Sequence, residues 1–352
     1  MVARYAALLG DIVTGQIRGE LPVESISATN ALNAPGQASV TLPLNAGDQF
    51  TSADFDPGRS SLSVLRDGTC LWSGIIWTWD AEVAGNSLNL NANGWHSYFR
   101  RRFLKVDMAF VDEDQSDIVK ALIDWAQAQP GGDVGIDTST LAPTGRLRDR
   151  SWWAWERHNI GELIDNLADV IDGFHFAYPT TFDGSTLSTT MRLTYPATGR
   201  PTPIVFEMGG NVEMLSITCD GTDMANIAER IGSGQTIETP IRAAVDTAVL
   251  ASTPLLESCT TDSDVTEPST LQQKADRDLI VGRAPVKLPK LQIGPDADPV
   301  IGSYEVGDRV RVRGHYGVAD IDADFVITEV GINVGAEAES VDLTVAPIEA
   351  FA

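Results

Sequence analysis

The sequence is short of the residues from which metal sites, disulfide frameworks and nucleic-acid surfaces are built. It has three cysteines, Cys70, Cys219 and Cys259, an odd number lying far apart with no CxxC spacing. That composition points to free thiols in a reducing compartment rather than to a stapled fold. The four histidines, His96, His158, His175 and His315, include none within three to five residues of another histidine or a cysteine, and there is no HExxH. No metal site is therefore expected. Phosphate-cradling loops and the GxSxG elbow of serine hydrolases are also absent, so no cofactor and no catalytic residue is assigned. Positive charge is scarce: 25 Lys and Arg stand against 49 Asp and Glu, a formal net charge of -24. Nucleic-acid affinity comes largely from cations that displace condensed counterions, so this charge argues against stable DNA or RNA binding. The excess acid has two readings, plain colloidal solubility or a non-stick lining beside moving nucleic acid. No run of 18 apolar residues exists to span a membrane as a helix. The apolar stretch at Tyr5-Ala6-Ala7-Leu8-Leu9 is too short for a signal peptide and reads as an opening strand.

What the chain does have is a pattern that occurs twice. Ser61-Leu62-Ser63-Val64-Leu65-Arg66 runs into a turn at Asp67-Gly68, a long apolar strand at 71–79, a turn at Ala84-Gly85-Asn86, and the alternating Ser87-Leu88-Asn89-Leu90-Asn91. Near the other end, Arg309-Val310-Arg311-Val312-Arg313 runs into Gly314, then a strand at 325–330, a turn around Gly335, and the alternating 340–345. Each copy reads strand, turn, long strand, turn, strand, with different identities. The 31 glycines and 18 prolines suit a chain rich in such turns.

The expected fold class is β-rich α+β, with two β-barrel domains flanking a smaller α+β insertion. The first barrel is assigned to 1–105, the insertion to 106–200 and the second barrel to 201–352, with a long surface excursion at 232–269. In the first, 21–31 and 37–44 are short alternating stretches and Pro43 suits a strand end. Residues 45–60 read as a loop, and the aromatic and basic stretch 94–102 closes the barrel. In the insertion, Asp114-Gln115-Ser116 caps a helix over 117–128, and Ile160, Leu163, Ile164, Leu167 and Ile171 give a second one over 159–171. A hairpin flanks Asp183-Gly184. Later, 212–218 is a strand, 224–232 suits strand or helix, 271–281 is a helix, 285–293 a strand and 294–299 a loop.

Few residues carry chemistry. Asp320, Asp322 and Asp324 alternate as in a calcium loop, but the glycine of position six is missing, where Phe325-Val326 reads as a strand, and Gly331 stands at position twelve in place of the bidentate Glu, so a solvated strand-entry loop is the better reading. Asp112-Glu113-Asp114 suits a helix N-terminus. Trp72, Trp77 and Trp79 fall in one strand, with Trp77 and Trp79 on one face by alternation. Trp153 and Trp155 would likewise share a face if extended, beside Trp152. These indoles suit core packing, a subunit interface or a sugar platform. Arg100-Arg101-Arg102 is the one dense basic patch, either a partner for acidic loops of a neighbouring subunit or a solvated strand end.

Gly302-Ser303-Tyr304-Glu305-Val306-Gly307-Asp308-Arg309-Val310-Arg311-Val312 resembles a Y-x-x-G-D-x-V segment of the tail hub proteins of long-tailed bacteriophages and the related spike-hub proteins of contractile injection systems. A helix and a short strand precede that segment in the family, and 271–281 and 285–293 hold those places here. Ser25-Ile26-Ser27-Ala28-Thr29 through Leu44, with the return Leu71-Trp72-Ser73-Gly74-Ile75-Ile76, is similar to the family's first barrel. The resemblance implies a minor tail protein in the baseplate hub of a virion, assembled in the host cytoplasm. It implies a homotrimer whose chains each contribute two tail-tube-like barrels, so that three chains present six similar units to a sixfold tail tube. A distal tail protein or the tube would lie above, tip or fibre proteins below, and DNA would pass without stable binding. Some relatives carry a lysozyme-like or peptidase domain; no such signature occurs here and no enzyme activity is expected. A carbohydrate-binding tail module and a cell-wall-degrading tail enzyme are the competing readings.

Overall fold

The computed structural model describes residues 3–44, 49–234, 236–249, 253–263, 265–294, 296–335 and 339–351. Gly47 and Asp48 of the expected 45–60 loop, part of the 232–269 excursion, part of the 294–299 loop and the residues following Gly335 lie outside them. The chain is β-rich α+β, built on one large and mostly antiparallel sheet with few helices. It divides into two compact units, Met1–Leu215 with Leu291–Thr344, and Ser216–Lys290 with Val345–Ala352.

The first unit begins with β1 (Tyr5–Asp11), β2 (Ile17–Leu21), β3 (Ser25–Ala31), β4 (Gln37–Pro43), β5 (Ser60–Arg66), β6 (Thr69–Glu82) and β7 (Ser87–Gly94). Pro22 has no N–H to give a ladder, and the expected single stretch at 21–31 is instead the end of β2 and all of β3. In β4, Ala38, Val40 and Leu42 point inward and alternate with Ser39 and Thr41. Pro43 ends the strand. All seven strands send side chains into one core, from Leu9 and Leu21 through Ile26, Val40 and Leu62 to Trp72, Ile76 and Leu90. Each fully buried aliphatic residue in it contributes about 1.5–3 kcal/mol.

The 94–102 stretch turns inward over 94–99, with the short helix α1 (His96–Phe99), and comes back to the surface at Arg100 and Arg101. Then follow β8 (Met108–Asp114), α2 (Gln115–Gln127), β9 (Ile136–Asp137), β10 (Leu147–Trp152) and α3 (Ile160–Ala168). The small strands β11 (His175–Ala177), β12 (Thr180–Phe182), β13 (Leu187–Thr190) and β14 (Arg192–Thr194) complete this region, with β12 and β13 forming the hairpin around Asp183-Gly184. The apolar faces of α2 and α3 meet in a second core with Phe99, Phe174 and Phe176. Ile75 belongs to this core and Ile76 to the first, so β6 is a wall covered on both sides. That is why its middle, about 72–77, is apolar where a solvent-facing strand would alternate.

After β15 (Arg200–Glu207), the chain leaves the first unit within β16 (Val212–Asp220). The second unit holds β17 (Ile227–Ile231), β18 (Ile241–Val245), β19 (Glu257–Thr261) and α4 (Pro268–Gly282). The ambiguous 224–232 segment is thus a strand, and the 232–269 excursion contains two more. β17 lies between antiparallel β18 and parallel β19. The Arg230 guanidinium joins this sheet to α4 through Asp278 at 2.7 Å and also meets Asp262 at 3.2 Å.

The chain returns through β20 (Val286–Ile293) to β21 (Asp308–Tyr316), β22 (Ala319–Val334) and β23 (Glu339–Pro347). The two repeated patterns are therefore two meanders, β5–β6–β7 and β21–β22–β23, with middle strands of 14 and 16 residues. They do not form separate sheets: β22 pairs with β21 at one end and with β3 at the other. The order runs β16-β20-β23-β22-β3-β4-β7-β6-β5-β1-β2, with β21 on β22 and β15 parallel to β21.

Two positions make this packing testable. Gly94 closes β7 opposite Gly74, and a Cβ there would overlap the Pro35 carbonyl oxygen. Gly94→Ala should cost about 1–3 kcal/mol, read as a lower urea midpoint at unchanged slope. Asp114 is buried at the N-terminus of α2, where its carboxylate accepts from the backbone N–H of Ser116 (2.9 Å), Thr144 (3.1 Å) and Gly145 (2.6 Å). Burial alone would raise its pKa; the donors outweigh it and lower it to about 2. A carboxylate depressed in the folded state stabilises above its unfolded pKa and loses that contribution as pH falls through the folded value. Asp114→Ala should cost about 1–2 kcal/mol at neutral pH, and denaturation curves should converge with the parent's between pH 4 and pH 2.

Candidate functional site

The sequence-selected residues fall in the first unit, around the end of β6 and the segment that follows β7. A β-bulge in β6 leaves Trp77 without a register partner, Ile76 opposite Ala92 and Thr78 opposite Asn91. The extra residue breaks the strict alternation expected to hold Trp77 and Trp79 on one face. Trp77 packs on the helical core and donates from Nε1 to Ser97 Oγ at 2.9 Å. Trp79 lies further out and is exposed. Both still border a shallow depression with Ser52, Asp56 and Pro57.

The three arginines have partners within their own chain. The Arg100 guanidinium lies 2.9 Å from Asp165, Arg101 stacks 4.0 Å above the Trp77 ring, and Arg102 donates to Tyr98 Oη (2.8 Å) and the Ala126 carbonyl (3.0 Å). A Cβ on Gly161 would meet the Arg100 backbone, so α3 is seated directly on this segment. The basic stretch fastens the helices to the sheet.

Trp153 and Trp155 are not in a strand. They follow β10 in a turn held by side chains: Ala154 N–H donates to Asp107 (2.6 Å) and Trp153 N–H to Glu156 (2.8 Å). Residues 103–108 run antiparallel to 152–159, with Phe103 bridged to Asn159, Leu104 N–H on the His158 carbonyl (2.9 Å) and Met108 opposite Trp152. Trp152 is buried, while Trp153 is 47% and Trp155 77% exposed, beside exposed Phe103 and Val106.

Three groups that no local pattern marks also meet here. The buried His96 is hydrogen-bonded through Nδ1 to Tyr178 Oη at 3.0 Å and through Nε2 to the accepting carboxylate of Asp165 at 2.8 Å. These residues lie 82 and 69 positions away, so no spacing rule could find them. The imidazole is wholly buried, and the string joins α1, α3 and the segment after β11. Burial pushes the Tyr178 phenol above its ordinary pKa, and Asp165 adds to the shift. Tyr178 also borders a cavity of about 190 Å³ lined by Asn30, Ser73, Thr180, Tyr304 and Glu305. The acidic stripe Asp320, Asp322, Asp324 lies in β22 opposite His315, Arg313 and Arg311, so Asp322 and Asp324 are paired with arginines across the ladder (Asp322 to Arg311, 2.6 Å). Among the described residues no group of three or more His, Cys, Asp or Glu could hold a metal ion, and no helix is long and apolar enough to cross a membrane.

No protein-family model matches the sequence, and no curated protein matches it by sequence. Solved structures do match in shape. A 43 kDa tail protein of prophage MuSo2 from Shewanella oneidensis superposes with a TM-score of 0.70 at 11% identity, over 99% of this chain and 100% of that one. A tail protein from Neisseria meningitidis MC58 follows at 0.63 and 15%, over 97% and 96%. The chain has the tail-protein fold. The same fold reaches the E. coli c3393 protein, described as a component of the type VI secretion system with structural similarity to T4 tail proteins gp27 and gp5, at TM-score 0.51 and 9% identity over 93% and 74%. The resemblance to phage tail hubs and injection-system spike hubs is therefore matched by the fold. At such identities the likeness is one of backbone topology, and the side chains described above are this chain's own.

In the cavity, the Tyr304 hydroxyl is buried without a hydrogen-bond partner, and burial pushes its pKa above the ordinary value. An unpaired buried hydroxyl costs about 1–3 kcal/mol. Tyr304→Phe should leave thermal stability equal or raised, since its ring packs edge-on against Phe206 at 5.4 Å. A loss of more than about 1 kcal/mol would mean that the hydroxyl is satisfied by a bound group.

Proposed function

We propose that this protein is a structural component of a phage-type tail tip, three chains forming a hub ring without catalytic activity or cofactor. In this reading each chain supplies two tube-like barrels, within 1–105 and 201–352, carried on either side of the 106–200 insertion. Six like units then dock on a sixfold tail tube or distal tail protein above, while threefold symmetry is presented to tip or fibre proteins below. The observation that carries the reading is the pair of matching meanders placed in one continuous sheet by the β3–β22 ladder. A fold shared with tail proteins over nearly the whole chain supports it. The net charge of -24 supports a lumen through which DNA passes without sticking. Virion localisation and assembly in the host cytoplasm follow from the same reading.

The ring is tested by electron microscopy of the purified protein together with its mass in solution. The expected result is an annulus with threefold symmetry, an axial hole and three times the chain mass. A monomer at high micromolar concentration, alone and with tail-tube protein added, rejects it. The exposure of Trp153 and Trp155 favours a second reading, recognition of host carbohydrate. A glycan array separates the two, because an assembly ring has no reason to retain sugars.

A further inference from the structure

The outer part of β6 has no cover. From Thr78 to Glu82 every one of its residues is exposed, and Val83 beyond it is 80% exposed. The β5 ladder stops at Ile75, so this stretch is a sheet edge paired only with β7, and an edge in water gains nothing from apolar side chains. This one nevertheless carries Trp79 and Val83, interleaved with the carboxylates of Asp80 and Glu82.

A second uncovered surface has the opposite character. Phe103, Val106, Trp153 and Trp155 are brought together by the antiparallel run of 103–108 against 152–159. The carboxylates inside it are already used, Asp107 on Ala154 N–H and Glu156 on Trp153 N–H and His158. Its exposed cations, Lys105 and Arg157, have no ion pair among the described residues. Asp80 accepts from the Asn91 amide at 3.3 Å, but neither it nor Glu82 has an ion pair among the described residues. One surface thus offers aromatic area with carboxylates that lack a cation, the other aromatic area with cations that lack a carboxylate.

We infer that the exposed end of the β6–β7 hairpin docks on the Phe103–Val106–Trp153–Trp155 surface of a second copy of this chain. Copies of a chain with net charge -24 repel one another, so a contact between them needs local opposite charge, and the two surfaces supply it. The turn at 153–156 is held by its own hydrogen bonds, so Trp153 and Trp155 are preorganised anchors that lose little freedom on binding. A sugar site would instead need several converging polar groups left unspent. The contact joins two different surfaces, so it is head-to-tail, the kind that closes into rings. The inference rests on the ring reading and names the surfaces that would build it.

Charge exchange tests it. One variant carries Asp80→Lys and Glu82→Lys, a second Lys105→Glu and Arg157→Glu, and a third all four. Sedimentation velocity follows assembly, and circular dichroism with thermal midpoints confirms folding. The two half-swapped variants should need at least ten times more protein to assemble, and the fully swapped chain should recover. Half-swapped variants that assemble like the parent overturn the inference and leave the ring standing. A parent that stays monomeric overturns both. Lost glycan binding in Trp155→Ala, with assembly unchanged, overturns it in favour of sugar recognition.

Discussion

The pairing of β3 with β22 is the contact on which the rest of the first unit depends. It sets Glu329 to Val334 against Ala31 to Ile26, nearly three hundred residues away in sequence. Closing so long a loop costs only slowly growing entropy, and the return is a ladder that satisfies the backbone of two strands. Without β22, β3 would be a sheet edge with free N–H and C=O groups. With it, the meanders of the two halves become one sheet, and the cavity between Asn30, Ser73, Tyr304 and Val330 acquires walls from both.

The helical region is attached to that sheet through a few polar contacts laid over a large apolar one. Ile75 and Trp95 put the back of the sheet into the helical core. Around this, Arg100, Arg102 and His96 bond to groups of α2, α3 and their surroundings, and Arg101 stacks on Trp77 of β6. Buried polar groups of this kind are worth little net stability but are costly to leave unmade, so they specify one docking of the helices rather than many. The three arginines thus also tie the helices to the sheet within their own chain, while Arg100 and Arg101 stay exposed. The surfaces left over are the β6–β7 tip and the Trp153–Trp155 turn.

A fold preserved at 9–15% identity across tail proteins and an injection-system component is a statement about topology. Hydrophobic alternation of the right size and period is enough to keep a sheet of this order, while the charged residues are free to change. Strand order can therefore persist where individual contacts between subunits do not.

Much of this was legible in the chain itself. The two meanders, the cap at Asp114 and the apolar faces of α2 and α3 are local patterns, because alternation and helical spacing act over a few residues and are set by backbone geometry. The acidic balance, the absence of metal-ligand spacings and the tail-hub likeness were likewise available before any coordinates. Tertiary structure alone decided that the meanders share a sheet, that a bulge at Trp77 separates it in register from Trp79, that 94–99 turns inward, and that His96 finds Asp165 and Tyr178. Each of these depends on which distant segment lies opposite. That choice is made by the fit of whole surfaces and by the need to pair every buried polar group, and neither is written in the neighbourhood of one residue.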